Sequence, residues 1–141
     1  MTNKTTRHMQ RLFVYGTLEF PEVVHKVLGT TLEGENAWLR GFARYLLINR
    51  EYPGIIRDAG SVTEGVLYHG ITPKHLRALD RYEDNIYQRQ RVQVVDLRGD
   101  TVEAWAYVIP PRHRRLLSRK PWQRNAFRNK HLRRFVNVRC R

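Results

Sequence analysis

The side chains best suited to chemistry fall in two short stretches. The first is Val14-Tyr15-Gly16-Thr17-Leu18, where an apolar run ends in a glycine. Glycine lets the backbone turn sharply and lets a ligand approach it closely. The amides of such a turn, just ahead of a helix opening near Pro21, can hold an anion such as a carboxylate. A plain strand-to-helix turn would call for the same glycine. The second stretch is Leu79-Asp80-Arg81-Tyr82-Glu83-Asp84-Asn85-Ile86-Tyr87-Gln88-Arg89. Glu83 lies seven residues after Leu76 and four after Leu79, which puts its carboxylate on their side of a helix that extends so far. An inward carboxylate is costly without a partner, and burial makes such a group a stronger base. A helix that stops earlier leaves Glu83 solvated at its end, or paired with Arg81 or Arg89.

The surrounding pattern supplies the elements that would hold these residues. Residues 12–15 read as a short buried strand closed by Gly16. Pro21 opens a helix with Val23, Val24, Val27 and Leu28 on one face and Gly29 as its stop. Residues 37–48 read as one bent strand, or two, broken at Gly41, and residues 51–60, with Pro-Gly and Ala-Gly, as a loop. Residues 61–71 alternate as a strand, in which Gly65 and Gly70 suggest a bulge or a close backbone approach. Thr72-Pro73 starts a helix that buries Leu76 and Leu79. Residues 89–97 and 101–110 are strands joined around Arg98-Gly99-Asp100. A last helix near Pro121 places Trp122, Ala126, Leu132 and Val136 on one face and Arg124, Arg128 and Lys130 elsewhere. Strands and helices do not alternate regularly, which favours a compact α+β domain with a mainly antiparallel sheet.

Composition narrows the classes. At 141 residues and 41% hydrophobic, the chain is expected to be one domain, 1–141, with residues 1–10 as a flexible tail and 112–141 as a basic helical segment. The single Cys140 forms no internal disulfide, and no apolar run approaches a membrane span or a secretory signal, so a cytoplasmic protein with no membrane association is expected. The six histidines form no short ligand pair, and there is no dinucleotide fingerprint or P-loop, so neither metal nor cofactor is expected. Nothing in the sequence fixes the oligomeric state.

Taken together, the motifs resemble the gamma-glutamylcyclotransferase-like family over residues 11–110. Tyr15-Gly16-Thr17-Leu18 is similar to that family's YGTL turn, and Asp80-Arg81-Tyr82-Glu83 followed by Tyr87-Gln88-Arg89 to its D-x-(F/Y)-E segment. Between and after them, Tyr52-Pro53-Gly54, Gly65-Val66-Leu67-Tyr68 and Ala104-Trp105-Ala106-Tyr107 resemble its Pro-Gly loop and two of its strands. The resemblance implies a small mixed, mainly antiparallel β-barrel with two to four short helices packed around it. It implies cyclisation of a γ-glutamyl small molecule to 5-oxoproline, with Glu83 as the catalytic acid/base. Tyr15, Gly16, Thr17, Leu18, Pro53, Gly54, Tyr87 and Tyr107 are the substrate-binding residues that it implies.

The competing class is a nucleic-acid-binding module. The formal net charge is +13, and residues 112–141 carry twelve Lys or Arg and no Asp or Glu, interleaved with aromatic residues. The favoured reading is a closing amphipathic helix with a solvated basic face, since excess charge mostly governs solubility and non-specific association.

Overall fold

The computed structural model describes residues 10–138. The expected tail up to residue 9, His8 and Cys140 lie outside them. Gln10, counted with that tail, is instead the first residue of a strand and pairs with Ile71. Five strands, β1 (Gln10–Val14), β2 (Gly34–Leu46), β3 (Pro53–Ile71), β4 (Gln88–Val95) and β5 (Thr101–Val108), close a barrel in the order β1-β3-β2-β4-β5. All neighbours are antiparallel except β1 and β5, which pair in parallel through Leu12 and Trp105. Four short helices pack around it: α1 (Pro21–Leu28), α2 (Pro73–Tyr82), α3 (Arg124–Lys130) and α4 (Leu132–Val138). The expected α+β barrel is thus the fold observed. Among the described residues no helix is long and apolar enough to cross a membrane.

The unbroken apolar run of β1 reflects burial on both faces. Phe13 and Tyr15 join Leu39, Phe42, Ile55, Leu67 and Val94 in one core, while Leu12 and Val14 join Phe20, Val23, Ile71 and Leu79 in another. A strand sandwiched between two cores cannot alternate polar and apolar residues. Gly65 permits the β1–β3 contact, because a Cβ at that position would collide with the Val14 carbonyl.

Two expected elements differ from those observed. Residues 53–57 are strand, not loop: Ile55 and Ile56 are buried and pair with Arg44 and Ala43 of β2. Pro53 is tolerated because it is the first residue of β3. The irregularity lies further on, where Phe42 faces Arg57 but Arg40 faces Val62, so that Asp58 to Ser61 leave the register. The basic segment forms two helices rather than one, after a 3-10 turn at Pro111–Leu116. On one straight helix, Phe127 and Leu132 would point about 140° apart. The break at His131 brings Phe127, Leu132 and Phe135 into a single core with Trp122, whereas Ala126 is exposed.

Aromatic rings carry that attachment. Phe127 stacks on Phe20 at 5.6 Å and meets Phe135 edge-on at 5.5 Å, and Phe135 meets Tyr52 at 6.2 Å. Two cations of the segment are paired with the body of the protein: Arg134 with Glu51, and Arg124 with Glu19 at 3.4 Å. Glu19 also meets Arg44 at 3.6 Å, and Arg44 donates to the Tyr15 carbonyl at 2.8 Å. Burial lifts the Glu19 carboxyl from 4.5 to about 7, against the pull of Arg44 and Arg124.

This packing makes three outcomes testable. A carboxyl whose folded value lies above its unfolded one holds its proton longer in the native state. Stability is therefore fully present below pH 4.5 and declines as pH rises to about 7. Thermal melts across that window are expected to show the decline in the wild type and a flatter profile in Glu19→Gln. Trp122→Ala removes a ring that touches both Phe20 and Phe127 and should cost about 3–5 kcal/mol, lowering the melting temperature by roughly 10 °C or more. Truncation after Pro111 should destabilise further. A truncated protein that melts with the wild type but loses nucleic-acid affinity would assign the segment to binding instead.

Candidate functional site

The strand β1 runs out at Val14, and the chain turns through Gly16 into a 3-10 turn at Thr17–Glu19. Gly16 is required by contact, since a Cβ there would lie 2.8 Å from the Pro53 ring. Thr17 and Leu18 open the turn, where the first N–H groups of a helical segment lack an intrahelical acceptor. Three bonds fix its backbone or its side chains. Tyr68 donates its hydroxyl to the Leu18 carbonyl at 2.8 Å, Arg44 holds the Tyr15 carbonyl, and Thr17 Oγ1 lies 3.0 Å from the Tyr82 hydroxyl.

Glu83 reaches the site by a route different from the one its spacing suggested. The helix α2 is started by Thr72, whose side chain accepts from the His75 amide at 3.1 Å, and it ends at Tyr82. Glu83 is its C-cap, extended at φ −73° and ψ 144°, with its amide donating to the Leu79 carbonyl at 2.9 Å. It leaves the helix on the inner side, and its carboxylate lines a cavity together with Tyr15, Gly16, Thr17 and Leu18. Pro53, Tyr87 and Tyr107 line the same cavity. Gly54 does not: a Cβ at Gly54 would strike Ile109, and Leu117 lies close behind, so this residue faces the opposite side of β3. Arg89 pairs with Asp80, through Nε at 2.9 Å.

Three tyrosines of the wall have their protons committed. Tyr15 donates to the Tyr107 carbonyl at 2.6 Å, Tyr87 to the Pro53 carbonyl at 2.6 Å, and Tyr107 to Asp80 Oδ1 at 2.6 Å. Burial pushes the Tyr15 hydroxyl well above its ordinary range, and the negative charge of Glu83 adds to the shift. Burial does the same to Tyr87, with Tyr15 and then Glu83 contributing. Tyr107 is raised by burial, then by its bond to Asp80, with Glu83 again adding. All three stay neutral and keep oxygen lone pairs as acceptors. Acceptors, a carboxylate and the turn's backbone amides thus line one cavity, a mixture that suits a small molecule carrying both an amine and a carboxylate. Among the described residues no three His, Cys, Asp or Glu side chains gather as a metal would require.

The cavity measures about 30 Å³. Its wall includes residues that were not expected in the site. Tyr52 and Tyr82 stand inside the Tyr52-Pro53-Gly54 and Asp80-Arg81-Tyr82-Glu83 motifs, and that membership was the available signal. Phe135 comes from α4, and its presence depends on the break at His131, which leaves no trace in a motif.

Comparison with known proteins agrees with this fold. The profile of the "Gamma-glutamyl cyclotransferase, AIG2-like" family matches residues 12–124. An AIG2-like protein C from Arabidopsis thaliana is 42% identical over 84 residues, 60% of this chain and 49% of its own length. The chain thus spans about half the length of the first curated relatives it matches, 49% and 55%. A solution structure of an Arabidopsis thaliana protein superposes with a TM-score of 0.73 and 27% identity, covering 92% of this chain and 79% of that one. A gamma-glutamyl cyclotransferase structure shares the fold at a TM-score of 0.64 and 18% identity, covering 72% of this chain and 66% of that one. The closed barrel, its motifs in order and the profile match over most of its length make this chain a member of the gamma-glutamyl cyclotransferase, AIG2-like family.

Proposed function

We propose that this protein cyclises γ-glutamyl amides, releasing 5-oxoproline and an amine, with Glu83 as general acid/base. The observation that carries the reading is the meeting of Glu83 with the Tyr15-Gly16-Thr17-Leu18 turn in one cavity. In this reading the substrate's α-amine lies toward Glu83, and the turn amides meet its α-carboxylate or its reacting carbonyl.

The reaction needs little beyond that orientation. Glu83 takes a proton from the α-amine. The freed nitrogen attacks the γ-carbonyl carbon, so a ring N–C bond forms and the γ-amide C–N bond breaks. The proton then passes from Glu83 to the departing nitrogen. Atoms balance without water. Nucleophile and electrophile belong to one molecule, so holding the folded conformer supplies much of the rate. The positioned acid/base adds about 10²–10⁴-fold. The turn amides serve the α-carboxylate, or the charge that develops on the reacting carbonyl.

Purified protein incubated with a panel of γ-glutamyl amides is expected to release 5-oxoproline and no glutamate. Glu83→Gln keeps the size of the side chain but cannot accept the proton. Its kcat should fall by about 10²-fold or more with KM little changed. Wild-type turnover in that variant would remove Glu83 from the mechanism. Tyr87→Phe and Tyr107→Phe each lose one hydrogen bond and should lower kcat/KM by up to about tenfold.

A further inference from the structure

Of the three tyrosines whose protons are committed, two are directed by the main chain. Tyr15 donates to the Tyr107 carbonyl and Tyr87 to the Pro53 carbonyl. Tyr107 is directed by a side chain instead, Asp80, whose Oδ1 accepts its hydroxyl at 2.6 Å. Tyr107 lines the cavity with Glu83, and Asp80 does not. Asp80 stands in the last turn of α2, three residues before Glu83.

The Asp80 carboxylate is held at both oxygens. Arg89 of β4 lies directly opposite Tyr107 of β5 in the strand pairing, so both side chains stand on one face of the pair. Arg89 gives Nε to Oδ1 at 2.9 Å and a terminal nitrogen to Oδ2 at 3.1 Å. A two-point pair of this kind fixes the plane of the carboxylate as well as its distance. Asp80 needs such an anchor, since its side chain is 43% exposed and would otherwise turn into water. Arg89 is seated in its turn, with its guanidinium 4.3 Å from the centre of the Trp105 ring. The Trp105 ring nitrogen donates to Gln10 Oε1 at 2.6 Å.

The direction of the Tyr107 bond has a chemical consequence. A carboxylate only accepts, and a phenol has one proton to give. Burial and the bond to Asp80 both keep that proton on Tyr107. With the proton spent on Asp80, the Tyr107 oxygen can meet a ligand only as an acceptor. An ammonium group is a donor only.

We propose that Asp80 is a positioning residue: by taking the Tyr107 proton it presents the Tyr107 oxygen as an acceptor to the α-amino group of the substrate. The inference rests on the cyclisation reading and adds to it the residue that sets affinity for the amine. Glu83 moves the proton, and the Asp80–Tyr107 pair holds the nitrogen that loses it.

The test is KM and kcat for 5-oxoproline release from a γ-glutamyl amide that the wild type turns over. Asp80→Ala frees the Tyr107 hydroxyl to turn its proton toward the ligand. KM should rise roughly five- to tenfold with kcat little changed, the pattern of binding lost equally from ground and transition states. Tyr107→Phe removes the acceptor itself and should show the same split, so the test does not hang on the folding of Asp80→Ala. The double variant should be no worse than Asp80→Ala alone, because the two residues act as a unit. Asp80→Asn should rescue. Two donors converge on Oδ1, the Tyr107 hydroxyl and Arg89 Nε, against one on Oδ2. The Asn carbonyl therefore takes the Oδ1 place, and KM should stay within about threefold of wild type. Arg91→Gln breaks another ion pair of the same two strands, Arg91 with Glu103 at 2.8 Å, and should leave both constants unchanged. An Asp80→Ala variant altered only in melting temperature, a loss that falls on kcat, a further loss in the double variant or an Asp80→Asn variant as poor as Asp80→Ala would each overturn the positioning role and leave the cyclisation reading standing. Absence of 5-oxoproline from every amide would overturn the cyclisation reading, and this inference with it.

Discussion

The carboxylate of Glu19, held between Arg44 and Arg124, is the interaction on which the site's geometry turns. Arg44 reaches from β2 to the carbonyl of Tyr15, and Arg124 reaches from the start of α3. One buried acid therefore ties the end of β1, the neighbouring sheet and the C-terminal helices to a common point. Buried charges are tolerated only when paired and hydrogen-bonded. Removing either arginine would take away part of what offsets the burial of Glu19. The rings complete the brace: Arg44 lies 5.5 Å from the centre of Trp122, and Arg124 4.7 Å from that of Phe20.

This accounts for part of the charge excess at the C-terminal end. Arg124 and Arg134 meet carboxylates of the barrel side, Glu19 and Glu51, and the aromatic residues between them are spent on the core. A stacking platform for bases needs exposed rings, and Trp122 and Phe127 are 4% and 2% exposed. The segment's aromatic interleaving is the signature of an attached helix pair. Among the described residues its other lysines and arginines are exposed.

Much of this arrangement was legible in the sequence, for reasons that differ from residue to residue. The run Leu-Phe-Val-Tyr announces a strand because both of its faces are buried, and Thr72-Pro73 announces a helix because the cap and the first turn are local chemistry. Pro53-Gly54 misled, since its turn-like composition hides the buried Ile55 and Ile56 that make it a strand. The pleat then decides its two residues separately, sending Pro53 to the cavity and Gly54 toward Ile109. Spacing alone left Glu83 inward or solvated, and it was the resemblance that pointed to it; the helix stops one residue earlier and makes Glu83 its C-cap. Phe135 was not legible at all, because its position depends on a helix break and on contacts with distant rings.

The seam of the barrel has a consequence for how the molecule comes to be formed. Leu12 pairs with Trp105, and the Tyr15 hydroxyl reaches the carbonyl of Tyr107 across 92 residues of chain. Closing a loop of that length brings its entropic cost before any contact rewards it, and such distant pairings form slowly. The hairpin of β4 and β5 and the capped helix α2 are local and can form early. The chamber bounded by residues 15, 83 and 107 exists in none of these pieces. It arises only when the first strand is taken up beside the last, so the cavity is complete only once the barrel has closed.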